Sequence, residues 1–160
     1  MTIMNKLTFV KCIEYLNAYY VNLKLDIDNK LVQQVWFETL KEIDDASFEL
    51  LVRDYSKNNI FPPQSPTHLL EHFKKMTDAY VIKIGNELRI FESNYRVHSK
   101  DNMSFHIDYE KAIKEAPSPD IRDLLLGFKS GKIKNYKPET IREYLSTKNG
   151  SLLIGEGNHD

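Results

Sequence analysis

Apolar residues recur at three-and-four spacing through the first half of the chain, the period of a helix with one buried face. Phe9, Cys12, Ile13, Leu16 and Tyr20 mark the first such face, with Thr8 placed to cap it. Asp26 or Asp28 opens a second helix, with Leu31, Val35 and Leu40 along one side and Trp36 and Phe37 widening the stripe. Asp44 or Asp45 opens a third, whose face is Phe48, Leu51, Val52 and Tyr55. Asn59-Ile60-Phe61-Pro62-Pro63 then breaks the pattern, because each proline lacks an N–H and biases the residue before it away from αR. Ser65-Pro66 has the form of an N-cap and first helical position, and Leu69, Leu70, Phe73 and Met76 follow at helical spacing. Four short amphipathic helices with short connections predict a small bundle.

From about Tyr80 the pattern changes. Tyr80–Ile84 and Glu87–Phe91 flank Gly85-Asn86, which reads as two strands around a two-residue hairpin turn. Arg96–Ile107 adds extended structure, with Val97, Phe105 and Ile107 as apolar contributors. Helical signals return at Asp108–Glu115, Pro119–Phe128 and Pro138–Leu145, with Gly127 and Gly131 suited to a helix ending. The chain is Gly-rich and expected to fray from Lys148. The expected fold is mainly α: a four-helix N-terminal bundle, then a β-hairpin and further short helices in an α+β second half. The expected divisions are residues 1–79, 80–147 and a tail at 148–160.

Composition narrows the chemistry. In 160 residues, 22 basic and 23 acidic side chains leave a net charge of −1, which demands neither nucleic acid nor an acidic substrate. The single cysteine, Cys12, excludes an intrachain disulfide and a cysteine-rich zinc site. No apolar run approaches the roughly 20 residues that span a bilayer, and the N-terminus lacks signal-peptide architecture, so no membrane partner and a cytoplasmic location are expected.

Three local patterns bear on function. His68-Leu69-Leu70-Glu71-His72 matches the H-x-x-E-H zinc-peptidase pattern, but Ser65 and Pro66 put His68 in the first exposed turn of its helix. Two surface histidines are the expectation, with no metal. Gly127-Phe128-Lys129-Ser130-Gly131-Lys132-Ile133 imitates a phosphate loop, yet it is one residue short between the glycines. Ile133 also stands where Mg²⁺ needs a hydroxyl, and the segment follows a helix rather than a strand. It reads as a glycine-terminated helix and turn. The third pattern is basic. Lys129, Lys132, Lys134 and Lys137 lie between Leu124 and Pro138 with no acidic residue, and Phe128 and Tyr136 are interleaved. Such a segment suits an acidic protein surface or nucleic-acid phosphates, and a solvated basic loop is the plain alternative. No catalytic constellation and no cofactor motif is found.

One resemblance joins the first half together. Phe9-Val10-Lys11 leading to Glu14-Tyr15-Leu16 and Tyr19-Tyr20, then Val35-Trp36-Phe37 with Leu40, then Tyr55 and the Asn59–Pro63 turn, resembles the small phage-encoded loaders and inhibitors of the replicative helicase. The similarity spans about residues 6–76. It implies a non-enzymatic adaptor that binds a hexameric helicase of host or phage, holds it inactive, and helps deliver it to an origin-bound initiator protein. The absence of a nucleotide motif fits that family and departs from the ATPase loaders of cells. Unlike those small loaders, whose C-terminal region is flexible, residues 80–145 read here as folded, so no individual binding residue is carried over. The expected contact is instead Phe128, Lys129, Lys132, Lys134, Tyr136 and Lys137, with the two aromatics as anchors and the lysines steering encounter. The alternative is a nucleic-acid-binding phage accessory protein using the basic 129–137 segment.

Overall fold

The computed structural model describes residues 3–101 and 103–149. Its elements run α1 (Lys6–Tyr19), α2 (Lys30–Leu40), α3 (Asp45–Asn58), α4 (Pro66–Ser93), β1 (Arg96–His98), β2 (Phe105–Ile107), α5 (Tyr109–Lys114), α6 (Pro119–Ser130) and α7 (Pro138–Asn149). The fold is mainly α, with one small antiparallel hairpin in an α+β second half. The chain divides into two compact units between Thr77 and Asp78. From residue 150 onward, the tail expected at 148–160 lies outside the described residues.

In the first unit, α1, α2 and α3 each start where a short polar side chain accepts an orphan backbone N–H. Asn5 caps α1 through the N–H of Leu7, one turn before Thr8, the cap expected from sequence. The earlier start is fixed from outside the helix: the Asn5 N–H donates to Asp45 Oδ1 at 2.7 Å. Asn29, rather than Asp26 or Asp28, caps α2 by accepting from Leu31 and Val32. The connection before it is clamped by the Asn17 side chain, which bonds both the N–H and the C=O of Leu25 at 2.9 Å. Asp44 caps α3 through Ser47, as its position predicts.

The first core collects Phe9, Ile13 and Leu16 of α1, Trp36 and Leu40 of α2, Phe48, Leu51 and Val52 of α3, and Leu69 of α4. Phe9 sits edge-on to Phe37 and stacks with Phe48. The buried face of α2 differs from the one expected: Leu31 and Val35 are exposed, and Val32, Trp36 and Leu40 face inward. Apolar residues cover a wide arc of this helix, from Leu31 and Val35 round to Trp36 and Leu40, so periodicity does not choose which part of the arc is buried; burying the indole removes the most apolar surface from water.

The second unit corrects the hairpin placed at Tyr80–Phe91. That segment continues α4, a helix of 28 residues. Val81, Ile84 and Leu88 are buried at helical spacing, whereas Ile82 and Ile90 are 52% and 70% exposed. Strand alternation would have put Ile82 and Ile84 on one face, and packing selects the 3.6-residue period instead. Gly85 is a packing gap rather than a turn. A Cβ there would lie 3.1 Å from Ile141 Cδ1 of α7. The hairpin itself is β1–β2, in register Arg96↔Ile107, Val97↔His106 and His98↔Phe105, within the stretch expected to be extended.

Val81, Ile84 and Leu88 form the second core with Ala112, Ile121, Leu124, Leu125, Ile133, Ile141 and Leu145. Asp108 caps α5 through Lys111, and Ser118 caps α6 through Ile121 with Pro119 in the first turn. Polar pairs tie the helices together: the Tyr80 hydroxyl donates to Asp120, and Arg142 pairs with Asp78. Burial and the Asp120 carboxylate hold the Tyr80 hydroxyl protonated well above its ordinary range.

Candidate interaction surfaces

The basic segment is built on the end of α6. Gly131 terminates that helix at φ 77°, the left-handed conformation glycine adopts without steric cost, and its N–H donates to the Phe128 carbonyl. Gly127 lies within the helix, where a Cβ would stand 2.5 Å from Ile133 Cδ1 and 2.8 Å from Tyr144 Cζ. Both glycines of the phosphate-loop look-alike therefore have structural duties, one in close packing and one in chain reversal. Ile133, where a magnesium-binding hydroxyl would be required, is buried in the second core.

The six residues expected to contact a partner fall into two groups. Phe128 and Tyr136 are half-buried against the second core and stacked, with ring centroids 4.7 Å apart and planes inclined at 29°. The Arg89 guanidinium of α4 lies over the Tyr136 ring at 4.6 Å. The stack thus fastens the 131–137 connection to the unit, and the two rings do not stand clear of it as free anchors. Arg89 was missed from sequence because it lies in the segment read as a strand; only its helical register brings it to the ring. The lysines are exposed. Lys129 approaches Glu110 of α5 at 3.7 Å, while Lys132, Lys134 and Lys137 follow along the connection.

His68 and His72 are occupied separately. His68 Nδ1 accepts from the Gln64 N–H at 3.2 Å. His72 Nε2 pairs with Asp54 at 2.7 Å, and its ring meets Tyr55 edge-on. Among the described residues no group of three or more His, Cys, Asp or Glu side chains is placed to hold a metal ion. Cys12 is buried, and desolvation pushes its thiol up to about 12, far from the thiolate character that nucleophilic chemistry requires.

In the first unit, the 59–63 turn is held from beneath. The Tyr20 hydroxyl donates to the Asn59 carbonyl at 2.7 Å, and the Asn59 side chain donates to the Tyr55 carbonyl at 3.0 Å. The Tyr55 hydroxyl reaches the Phe61 carbonyl at a long 3.5 Å. Burial raises both tyrosine hydroxyls above their ordinary value, so both remain donors at neutral pH. Trp36 and Tyr20 lie in the core, as helical spacing predicts, whereas Tyr19 is exposed. No helix among the described residues is long and apolar enough to cross a membrane. No protein-family model, curated protein or solved structure matches the chain.

Proposed function

We propose that this protein is a non-enzymatic adaptor of phage DNA replication that binds a hexameric replicative helicase, of host or phage, to load it, inhibit it or both. Its place of action is the cytoplasm of an infected or lysogenic bacterial host, and an origin-bound initiator protein is a further partner. The observation that carries the reading is the first unit. Phe9, Leu16, Tyr20, Trp36, Leu40 and Tyr55, among the residues on which the sequence resemblance rests, lie in a single helical core, whereas Tyr15, Tyr19 and Val35 of the same set are exposed. Contact is assigned to the connection after α6, where Lys132, Lys134 and Lys137 steer encounter with an acidic surface and the Arg89–Tyr136–Phe128 stack keeps them on a fixed base. Size-exclusion chromatography with light scattering on a mixture with the host or phage helicase tests the reading. A defined co-eluting complex is expected, and its absence with both helicases overturns the proposal. Unwinding assays then separate loading from inhibition.

A second reading is favoured by the same run of lysines: direct binding of nucleic acid through the 129–137 segment. With the Tyr136 ring engaged by Arg89 and Phe128, this binding would rest on phosphate contacts rather than base stacking. DNA affinity that falls steeply with salt, without any helicase complex, would move this reading to the front.

A further inference from the structure

We propose that the 59–63 turn, with Tyr15 and Tyr19 of α1 beside its supporting tyrosine, is a second protein-docking surface, whose partner offers an uncharged apolar pocket to Ile60 and Phe61. The inference rests on the proposed function for one thing only, the identity of the partner as the replicative helicase.

Ile60 is 89% exposed and Phe61 76%, and they are adjacent large apolar side chains in a unit whose others are for the most part buried or half-buried. Leaving both in water forgoes stabilisation that burial would supply. Pro63 is buried and Pro62 half-buried, so the turn is seated on the unit, and its backbone holds only Ile60 and Phe61 out in solvent. Pro62 and Pro63 restrict φ on one side, and the Tyr20 hydroxyl fixes the Asn59 carbonyl on the other. A turn ordered in this way has lost its conformational entropy before any partner arrives. Tyr19 packs edge-on to Tyr20, and Tyr15 packs on Tyr19, so an aromatic row leads from the base of the turn onto an exposed face of α1. Exposed aromatic side chains of this kind are enriched at protein interfaces and their hot spots.

The charge pattern selects the partner. No Asp, Glu, Lys or Arg lies between Lys57 and Glu71, so the turn itself carries no charge for phosphates or an anionic lipid surface, and the charges of the wider surface are those of Lys11 and Glu14 on α1. A symmetric contact between two copies through this turn alone would bury well under the roughly 1,200 Å² of a stable interface. A knob entering a pocket on a larger protein suits both the size and the neutrality of the turn.

The test is the full chain carrying Ile60→Ser and Phe61→Ser, titrated against the helicase at low and high salt. Both side chains are exposed, so the circular dichroism spectrum and Tm should match wild type. Affinity is expected to fall at least about 30-fold, the size of one hot spot, chiefly through faster dissociation and equally at both salt concentrations. A variant with all four lysines of 129–137 changed to Ala should instead lose association rate, mainly at low salt. If wild type binds the helicase and the double serine variant binds as tightly, the docking surface is wrong and the proposed function stands. If wild type binds neither helicase, the proposed function fails and this assignment fails with it. Concentration-dependent self-association that the serine variant abolishes would give the surface to a second copy and also overturn the proposal.

Discussion

Glu92, near the end of α4, is a carboxyl group in the wrong surroundings for a charge. It is buried, its Oε2 has no hydrogen-bond partner, and desolvation raises its pKa from 4.5 to about 7 despite Arg96 and Arg89 nearby. The folded state therefore holds the proton more tightly than the unfolded state. Its contribution to stability is fully present below about pH 4.5 and is lost as pH rises through about 7. Thermal melts from pH 5 to 8 should show this decline, on the order of 1–3 kcal/mol, and Glu92→Gln should flatten it. A slope unchanged by Gln would assign the pH dependence to another group. Cys12 gives a second expectation at this scale: no reaction with a thiol reagent at pH 8 while folded, and full reaction in denaturant. Rapid labelling of the native protein would mean that α1 opens readily.

At the level of elements, the two glycines taken from sequence as turn or helix-end signals separate sharply. Gly127→Ala places a methyl group against Ile133 and Tyr144 and should destabilise the protein by about 1–3 kcal/mol, despite the better helix propensity of alanine. Gly85→Ala meets only the far end of Ile141, at 3.1 Å, inside a continuous helix. Helical content by far-UV circular dichroism should be kept or raised, with Tm shifted by no more than a few degrees. Were residues 80–91 a hairpin, the same change would remove its turn glycine and cost both pairing and stability. The segment shows how an apolar-rich stretch supports two periods at once: Tyr80, Ile82 and Ile84 alternate, while Val81, Ile84 and Leu88 share a helical face. Neither pattern excludes the other until α6 and α7 supply the surface against which one face is buried.

At the scale of the whole molecule, two cores stand in one chain, and α4 contributes Leu69 to the first and Leu88 to the second. Leu51→Ala and Leu125→Ala each remove a fully buried side chain and should cost about 2–5 kcal/mol. Hydrogen exchange should show the loss concentrated in the unit that carries the substitution, because the apolar contacts supporting each core are drawn from its own unit. Uniform loss of protection across the chain would show that the two units unfold as one. The net charge of −1 conceals a local asymmetry, since the lysines of 129–137 lie in the second unit and the uncharged 59–63 turn belongs to the first.

The sequence by itself determined what depends on near neighbours along the chain. Asp44 before α3, Pro66 and Pro119 at helix starts, Gly131 at a helix end and the break at Pro62-Pro63 act within a few residues, through backbone donors and allowed dihedral angles. The mainly α class, the first, third, fifth, sixth and seventh helices, and the presence of extended structure within 96–107, where two short strands form, were legible for that reason. Only the tertiary structure decided what depends on distant partners. Asp45 set the start of α1, Trp36 chose the buried face of α2, and α7 made Gly85 a packing gap. The candidate surfaces divide in the same way. The lysines of 129–137 were visible as a run of charge, but Arg89 reaches Tyr136 from about fifty residues away in sequence. The outward presentation of Ile60 and Phe61 depends on Tyr20, at the C-cap of α1, and on Tyr55 of α3. Burial and orientation are properties of surfaces that meet, and a one-dimensional pattern lists the candidates for a surface without saying which others will cover it.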